Sequence, residues 1–211
     1  HPALSWILPH VKEMPRILDI GASNGDLISQ LKPYASCVSA LDVVEYSRCR
    51  ETVNGEYIIG DMEDELSWSG NQYQLATAFD VFEHFINANA AVESVVKLIG
   101  DGGRLIIETG DWSCVKSDLA DWYYANLFEH HIFWSRRAFN YVCERYNLDV
   151  LDYRLVPHKN RRNLAGIKLI LTELVVSFAP IPIFQAVMLA MGRGDPLRFS
   201  RHNFVDHAFL V

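Results

Sequence analysis

The chain has 211 residues, half of them hydrophobic, and carries a formal net charge of −7. That length and apolar content suit a single domain with a full core, and a negative charge without a basic stripe argues against nucleic acid as a partner. The four cysteines are widely spaced and form no CxxC pair, so we expect reduced thiols in a cytoplasmic protein rather than a disulfide framework or a zinc site.

Short apolar runs alternate with stretches of helical spacing along most of the chain. The predicted strands are Arg16–Ile20, Cys37–Val44, Glu56–Ile59, Tyr73–Phe79, Arg104–Glu108 and Leu148–Val156. The predicted helices are Gly25–Leu31, Ala88–Leu98 and Ser135–Tyr146. This alternation predicts an α/β fold in which helices cover both faces of a doubly wound, mostly parallel sheet. Ligands of such sheets bind beyond the carboxyl ends of the strands.

Residues 16–25, RILDIGASNG, are a predicted strand followed by a glycine-containing turn. A dinucleotide site needs the pattern G-x-G-x-x-G, but Ser23 and Asp26 stand where its second and third glycines belong. Four aspartates fall at or just after predicted strand ends: Asp19, Asp26, Asp42 and Asp61. Carboxylates on one rim repel a phosphate and attract a cation, so we expect a positively charged ligand there. A tight turn with no ligand is the alternative.

This turn resembles the first motif of the class I S-adenosylmethionine-dependent methyltransferases, which reads acid-x-Gly-x-Gly-x-Gly. In this chain it is DIGASNG at 19–25, with Ser23 replacing the middle glycine. The resemblance implies that S-adenosylmethionine is the cofactor, that Asp42 accepts from both ribose hydroxyls, and that Asp61 and Met62 hold the adenine. The residues implied to bind the cofactor are Asp19, Gly21, Ala22, Ser23, Gly25, Asp42, Asp61, Met62, Phe79 and Asp80.

Further segments extend the resemblance over residues 14–156. They are YQLATAFDVFEHF at 73–85, LIGDGGRLIIETG at 98–110 and FEHHIFWSRRAFNYVCERYNL at 128–148, and the last of these resembles a stretch of the family's small-molecule branch. The run FVDHAFLV at 204–211 resembles the family's final strand. The resemblance therefore implies a Rossmann-like, seven-stranded sheet whose last strand is antiparallel, similar to that of ubiquinone-type and sugar or natural-product O-methyltransferases.

Methyl transfer to a hydroxyl needs a base, and His130 and His84 are the two candidates because imidazole titrates near neutral pH. We favour His130, which precedes a predicted helix in a segment that the family folds over the pocket. The alternative for either residue is a partly buried structural histidine, since His130 is flanked by Phe128, Phe133 and Trp134.

Five acids and histidines are candidate metal ligands: Asp80, Glu83, His84, Glu129 and His130. Some relatives that act on quinone precursors pair such residues around a metal. At least three side chains would have to converge on one ion, and the adjacent Glu83 and His84 need not point the same way. We therefore predict no metal.

Residues 158–202 are predicted to form a helical insertion before the last strand, within one methyltransferase domain spanning 1–211. The apolar run Leu174–Met191 has eighteen residues without a charge, but Pro180 and Pro182 would break a helix in its middle. We therefore predict two amphipathic lid helices and no membrane span. A homodimer contact, or a peripheral membrane contact through 168–191, is the alternative.

The resemblance implies a methyltransferase that acts on a small-molecule or glycan-type acceptor, at a hydroxyl. Two other classes stay open at this stage. One is an NAD(P)-dependent oxidoreductase, which Ser23 and Asp26 oppose. The other is a non-catalytic protein of the same fold that binds the cofactor without turnover, since no obligatory residue marks catalysis in this fold.

Overall fold

The computed structural model describes residues 4–11, 15–64, 72–115, 122, 124–126, 128–156 and 207–210. Its strands are β1 (Arg16–Ile20), β2 (Cys37–Asp42), β3 (Tyr57–Ile59), β4 (Leu75–Phe79), β5 (Arg104–Gly110), β6 (Tyr153–Val156) and β7 (His207–Leu210). They join in one sheet in the order β3-β2-β1-β4-β5-β7-β6. Strands β1 to β5 run parallel, and β7 pairs antiparallel with β5 and β6. The predicted Rossmann-like, mostly parallel sheet is confirmed.

The strand order reverses next to β1, whose two neighbours are β2 on one side and β4 on the other. Ile20, the last residue of β1, lies opposite Leu41 of β2 and Ala78 of β4. In open parallel sheets such a reversal opens a crevice beyond the carboxyl ends of the strands. The turn after β1 and the residue after β4 therefore border the same crevice.

Five α-helices accompany the described strands: α1 (Leu4–Ile7), α2 (Asp26–Leu31), α3 (Ser47–Thr52), α4 (Ala88–Ile99) and α5 (Arg136–Arg145). The two long helices begin at side-chain caps, because Asn87 accepts from the backbone N–H of Ala90 and Ser135 accepts from that of Ala138. The predicted helices at 25–31, 88–98 and 135–146 correspond to α2, α4 and α5. The short, polar α3 was not predicted.

Alternate residues of the strands supply two separate cores, one on each face of the sheet. In β1, Leu18 and Ile20 belong to the core under α4 and α5, whereas Ile17 belongs to the core under α2. In β5, Ile107 belongs to the core under α4 and α5, and Ile106 belongs to the core under α2. Because side chains alternate across a strand, this division requires helices on both faces, as a doubly wound sheet predicts.

Four strands are shorter than predicted. Strand β3 begins at Tyr57 rather than Glu56, and β4 begins at Leu75 rather than Tyr73. Strand β2 ends at Asp42 rather than Val44 because the Asp42 carboxylate accepts from the backbone N–H of Val44 and turns the chain. Strand β6 begins at Tyr153 rather than Leu148. The N–H of Leu148 still bonds to the carbonyl of Cys143, and so belongs to the end of α5.

The predicted insertion at 158–202 lies outside the described residues, so the lid, dimer and peripheral-membrane interpretations stay predictions. The strands that flank it end together, because Val156 of β6 lies opposite His207 of β7 and His207 lies opposite Gly110 of β5. The chain therefore leaves and re-enters the sheet at the carboxyl end of β5. Within the described part of the chain, every helix is too short or too polar to cross a membrane.

Candidate active site

The turn after β1 uses three residues in left-handed backbone conformation. Gly21, Ser23 and Gly25 have φ values of 68°, 47° and 75°. A Cβ atom at Gly21 would lie 2.4 Å from Cγ2 of Val81, so glycine is required there both for its conformation and for space. Ser23 adopts the same left-handed conformation although it is not glycine. The backbone thus keeps the left-handed conformation typical of glycine at Ser23, the position where the sequence departs from the family motif.

Asp42 holds this turn against the end of β2. Its side chain is 8% exposed, and its carboxylate accepts from the backbone N–H groups of Ser23, at 2.8 Å, and Val44, at 3.2 Å. A carboxylate has about four lone-pair sites, so about two stay available for further donors. This geometry fits an acid that both shapes the turn and accepts from a pair of hydroxyls.

Asp19 is a second buried carboxylate beside the same turn. It is 4% exposed, and the hydroxyl of Thr77 donates to its Oδ1 at 2.7 Å. The pKa of Asp19 is raised to about 7. Burial is the largest cause of the rise, the hydrogen bond from Thr77 opposes it, and the neighbouring charge of Asp42 adds to it. Two interacting carboxylates at one crevice favour a cationic ligand.

The four aspartates that the sequence places at strand ends make different contacts. Asp19 and Asp42 interact, as expected. Asp26 begins α2 and forms an exposed ion pair with Arg48 of α3 at 2.7 Å. Asp61 follows β3 and accepts from the N–H of Glu63 at 2.9 Å, which closes a turn. Asp26 thus has a cationic partner of its own, and its share in a common ligand site stays a prediction.

The remaining predicted cofactor residues lie near these carboxylates but differ in burial. Ala22 is buried, and the backbone N–H groups of Gly21 and Ala22 donate to the carbonyl of Leu41. Met62 is buried in the core under α4. Phe79 ends β4, and Asp80 follows it, exposed and in left-handed conformation with φ 53°. A strained, non-glycine residue at a strand end is often part of a site.

The two predicted catalytic histidines contact each other. The rings of His84 and His130 meet edge to face with centroids 4.8 Å apart, and the Tyr124 ring lies 4.6 Å from that of His130. Burial lowers the pKa of His130, the nearby His84 lowers it further, and a hydrogen bond to the backbone of Tyr124 opposes this. Nδ1 of His130 is buried and has no hydrogen-bond partner among the described residues. A neutral imidazole with an unpaired ring nitrogen is suited to accept a proton.

A buried hydrogen-bond network beneath these histidines was not predicted. Glu83 is completely buried, and its carboxylate accepts from the hydroxyls of Tyr124 and Thr109. Tyr124 also lies 3.3 Å from Oδ1 of Asp80. The positions of Glu83 and Thr109 at neighbouring strand ends could have suggested their meeting, but no sequence signal marked Tyr124.

Glu83, His84 and His130 each offer a ligand atom within 4.8 Å of the others, so the adjacent Glu83 and His84 do converge. Both Glu83 oxygens already accept hydrogen bonds, and Nδ1 of His84 lies 2.9 Å from the backbone oxygen of Glu129. A metal would have to displace these partners. The absence of a metal stays a prediction.

An aromatic cluster borders His130 on the side of Tyr124. The rings of Trp112, Trp122, Tyr124 and Phe133 pack with centroid distances from 5.2 to 6.4 Å. Nε1 of Trp122 is buried and has no partner among the described residues. The cluster follows β5, whose carboxyl end neighbours that of β4.

Residues 3–153 match the sequence model of a family described as a methyltransferase domain. The chain belongs to the methyltransferase-domain family. Its cofactor is accordingly S-adenosylmethionine, as the resemblance implied. The predicted class and cofactor are confirmed, whereas the roles of individual residues stay predictions.

Similar proteins agree with this membership. A ubiquinone biosynthesis O-methyltransferase from Erwinia tasmaniensis is 24% identical over 115 residues, which are 50% of this chain and 47% of that protein. The match thus spans about half the length of this curated relative. A proposed methyltransferase from Bacillus halodurans is 16% identical, with a TM-score of 0.67 over 100% of this chain and 97% of its own. An S-adenosylmethionine-dependent methyltransferase from Clostridium acetobutylicum is 12% identical, with a TM-score of 0.58 over 77% of this chain and 84% of its own. At these identities the two structures show the fold alone.

Proposed function

We propose that this methyltransferase-domain protein transfers a methyl group to a hydroxyl of a small-molecule or glycan-type acceptor. The observation that carries the proposal is the half-buried His130, whose pKa is lowered by burial and whose Nδ1 has no hydrogen-bond partner among the described residues. A hydroxyl needs a base during methyl transfer, and a weakly basic imidazole at neutral pH supplies one. The O-methyltransferase name of the Erwinia relative supports the same chemistry.

The residues beside β1 and β2 suit the cofactor. Asp42 would accept from the ribose hydroxyls with its free lone pairs, while Asp61 and Met62 would hold the adenine. Asp19 would face a cationic group, which favours its ionised form. When bound, S-adenosylmethionine supplies a methyl group activated by its sulfonium. The protein then has to orient the acceptor, exclude water and accept one proton.

His130 is the proposed proton acceptor, and His84 is the second candidate. His84 is the more exposed of the two, and its Nδ1 is engaged with the backbone of Glu129. His130 is better placed because no group in the described part of the chain competes for its Nδ1 lone pair.

Two titrations and one turnover assay test the proposal. We expect S-adenosylhomocysteine to bind in calorimetry, NADH not to bind, and labelled methyl groups to pass to one member of a panel of sugars and phenols. Saturable NADH binding without S-adenosylhomocysteine binding would contradict the proposal. Cofactor binding with no transfer to any hydroxyl acceptor would favour the non-catalytic alternative.

A further inference from the structure

Glu83 is a buried acid that the proposed chemistry does not use. It is completely buried, and burial raises its pKa while its bond from Tyr124 lowers it. A buried carboxyl group is costly unless it is hydrogen-bonded. The hydrogen bonds of Glu83 connect it to the segment that carries His130.

Glu83 binds the segment that carries His130 on both sides of that histidine. Before His130, the hydroxyl of Tyr124 donates to the Glu83 side chain. After it, the backbone N–H groups of His131 and Ile132 donate to the Glu83 carbonyl at 2.8 and 3.1 Å. The hydroxyl of Thr109 at the end of β5 donates to the second carboxylate oxygen at 2.8 Å. One residue thus ties the His130 segment to the ends of β4 and β5.

Among the described residues the ring of His130 has no hydrogen-bond partner at Nδ1, so its hydrogen bond to the backbone of Tyr124 and the packing of neighbouring rings orient it. It lies between the ring of Tyr124, at 4.6 Å, and that of His84, at 4.8 Å. The Tyr124 ring is held in turn by its hydroxyl, which bonds to Glu83. A shift of Tyr124 would therefore move His130 relative to the acceptor.

We propose that Glu83 and Tyr124 are a pair of positioning residues for His130, in which the buried carboxylate holds the phenol that orients the imidazole. This inference rests on the proposed function, because it assumes that His130 accepts the acceptor's proton. Neither residue touches the reacting atoms, and their effect reaches the reaction through His130.

The test compares two tyrosines that each lose a bonded hydroxyl. Tyr124→Phe removes the bond to Glu83 and keeps the ring. Tyr146→Phe is the matched control, because its hydroxyl links α5 to Asn89 and Glu93 of α4, away from the histidines. Turnover, acceptor KM, S-adenosylhomocysteine affinity and the unfolding midpoint are measured for both variants and for wild type.

We expect Tyr124→Phe to lower kcat about tenfold to a hundredfold, as for small displacements of a catalytic group, with cofactor affinity unchanged. Tyr146→Phe should keep wild-type kcat even if its unfolding midpoint falls. Glu83→Gln can still accept from Tyr124 and bond to Thr109, so it should keep more activity than Glu83→Ala. Equal kcat for Tyr124→Phe and wild type, or equal losses for the two Glu83 variants, overturns the inference.

A second measurement needs no turnover. The ring nitrogen signals of His130, assigned by their loss in His130→Ala, should shift in Tyr124→Phe and stay in place in Tyr146→Phe. Unshifted signals would overturn the inference. If Tyr124→Phe does not fold, Glu83→Gln and Glu83→Ala are compared by the same spectrum. Failure of wild type to bind S-adenosylhomocysteine or transfer a methyl group would instead refute the proposed function.

Discussion

Replacing Asp19 by asparagine should stabilise the protein at neutral and alkaline pH. Asp19 is 4% exposed at the end of β1, and burial raises its pKa from 3.8 to about 7. Asparagine keeps an oxygen that can accept from Thr77, but it has no proton to lose. The substitution therefore removes a buried charge and preserves the hydrogen bond.

The size of the stability change follows from the pKa of Asp19 in the unfolded chain, 3.8, and in the folded protein, about 7. Between pH 3.8 and pH 7 the folded protein binds the Asp19 proton more tightly than the unfolded chain does. The stabilisation from this proton is fully present below pH 3.8 and is lost as the pH rises through 7. A gap of about 3 pH units is worth about 4 kcal/mol in total. We expect the stability advantage of Asp19→Asn over wild type to grow by about 2–3 kcal/mol between pH 5 and pH 8.

Urea unfolding of the cofactor-free protein, followed by circular dichroism from pH 5 to pH 8, measures this difference. Asp26→Asn is the control, because Asp26 is an exposed aspartate nearby whose ion pair with Arg48 is solvated and worth little. Its stability difference from wild type should not change with pH. A constant difference for Asp19→Asn over this range would refute the reasoning. S-adenosylhomocysteine should bind more weakly to Asp19→Asn, which would explain why a destabilising acid is kept.

Three further predictions concern the same site. Asp42→Ala should weaken S-adenosylhomocysteine binding by about 1–3 kcal/mol through lost hydrogen bonds to the ligand, and an unchanged calorimetric Kd would mean that this acid is misassigned. His130→Ala should slow turnover about a hundredfold with cofactor affinity unchanged, and full activity would move the role to His84 or remove the need for a base. Dialysis against a chelator should leave turnover unchanged, because both Glu83 oxygens have partners; a loss restored by a divalent cation would contradict this.

Much of the fold could be predicted because its signals are local. Strand β1 has the predicted bounds, Arg16–Ile20, since an apolar run ends there at a glycine that must adopt a positive φ. Helix α4 begins at the predicted Ala88, after the Asn87 cap. Short α3 was missed because six mostly polar residues carry no clear helical period, and so the ion pair between its Arg48 and Asp26 was missed as well.

The candidate site, too, could be predicted only in part. By itself, the sequence determined the glycine-type turn, the acids that end β1 and β2, and the histidines, since each depends on residue type and position near a strand end. Only the tertiary structure decided which groups meet. Tyr124 lies 41 positions from Glu83, and Thr109 lies 26 positions from it. Their hydrogen bonds depend on how separate strand ends and one packed segment come together, and no periodic pattern in the chain encodes that arrangement.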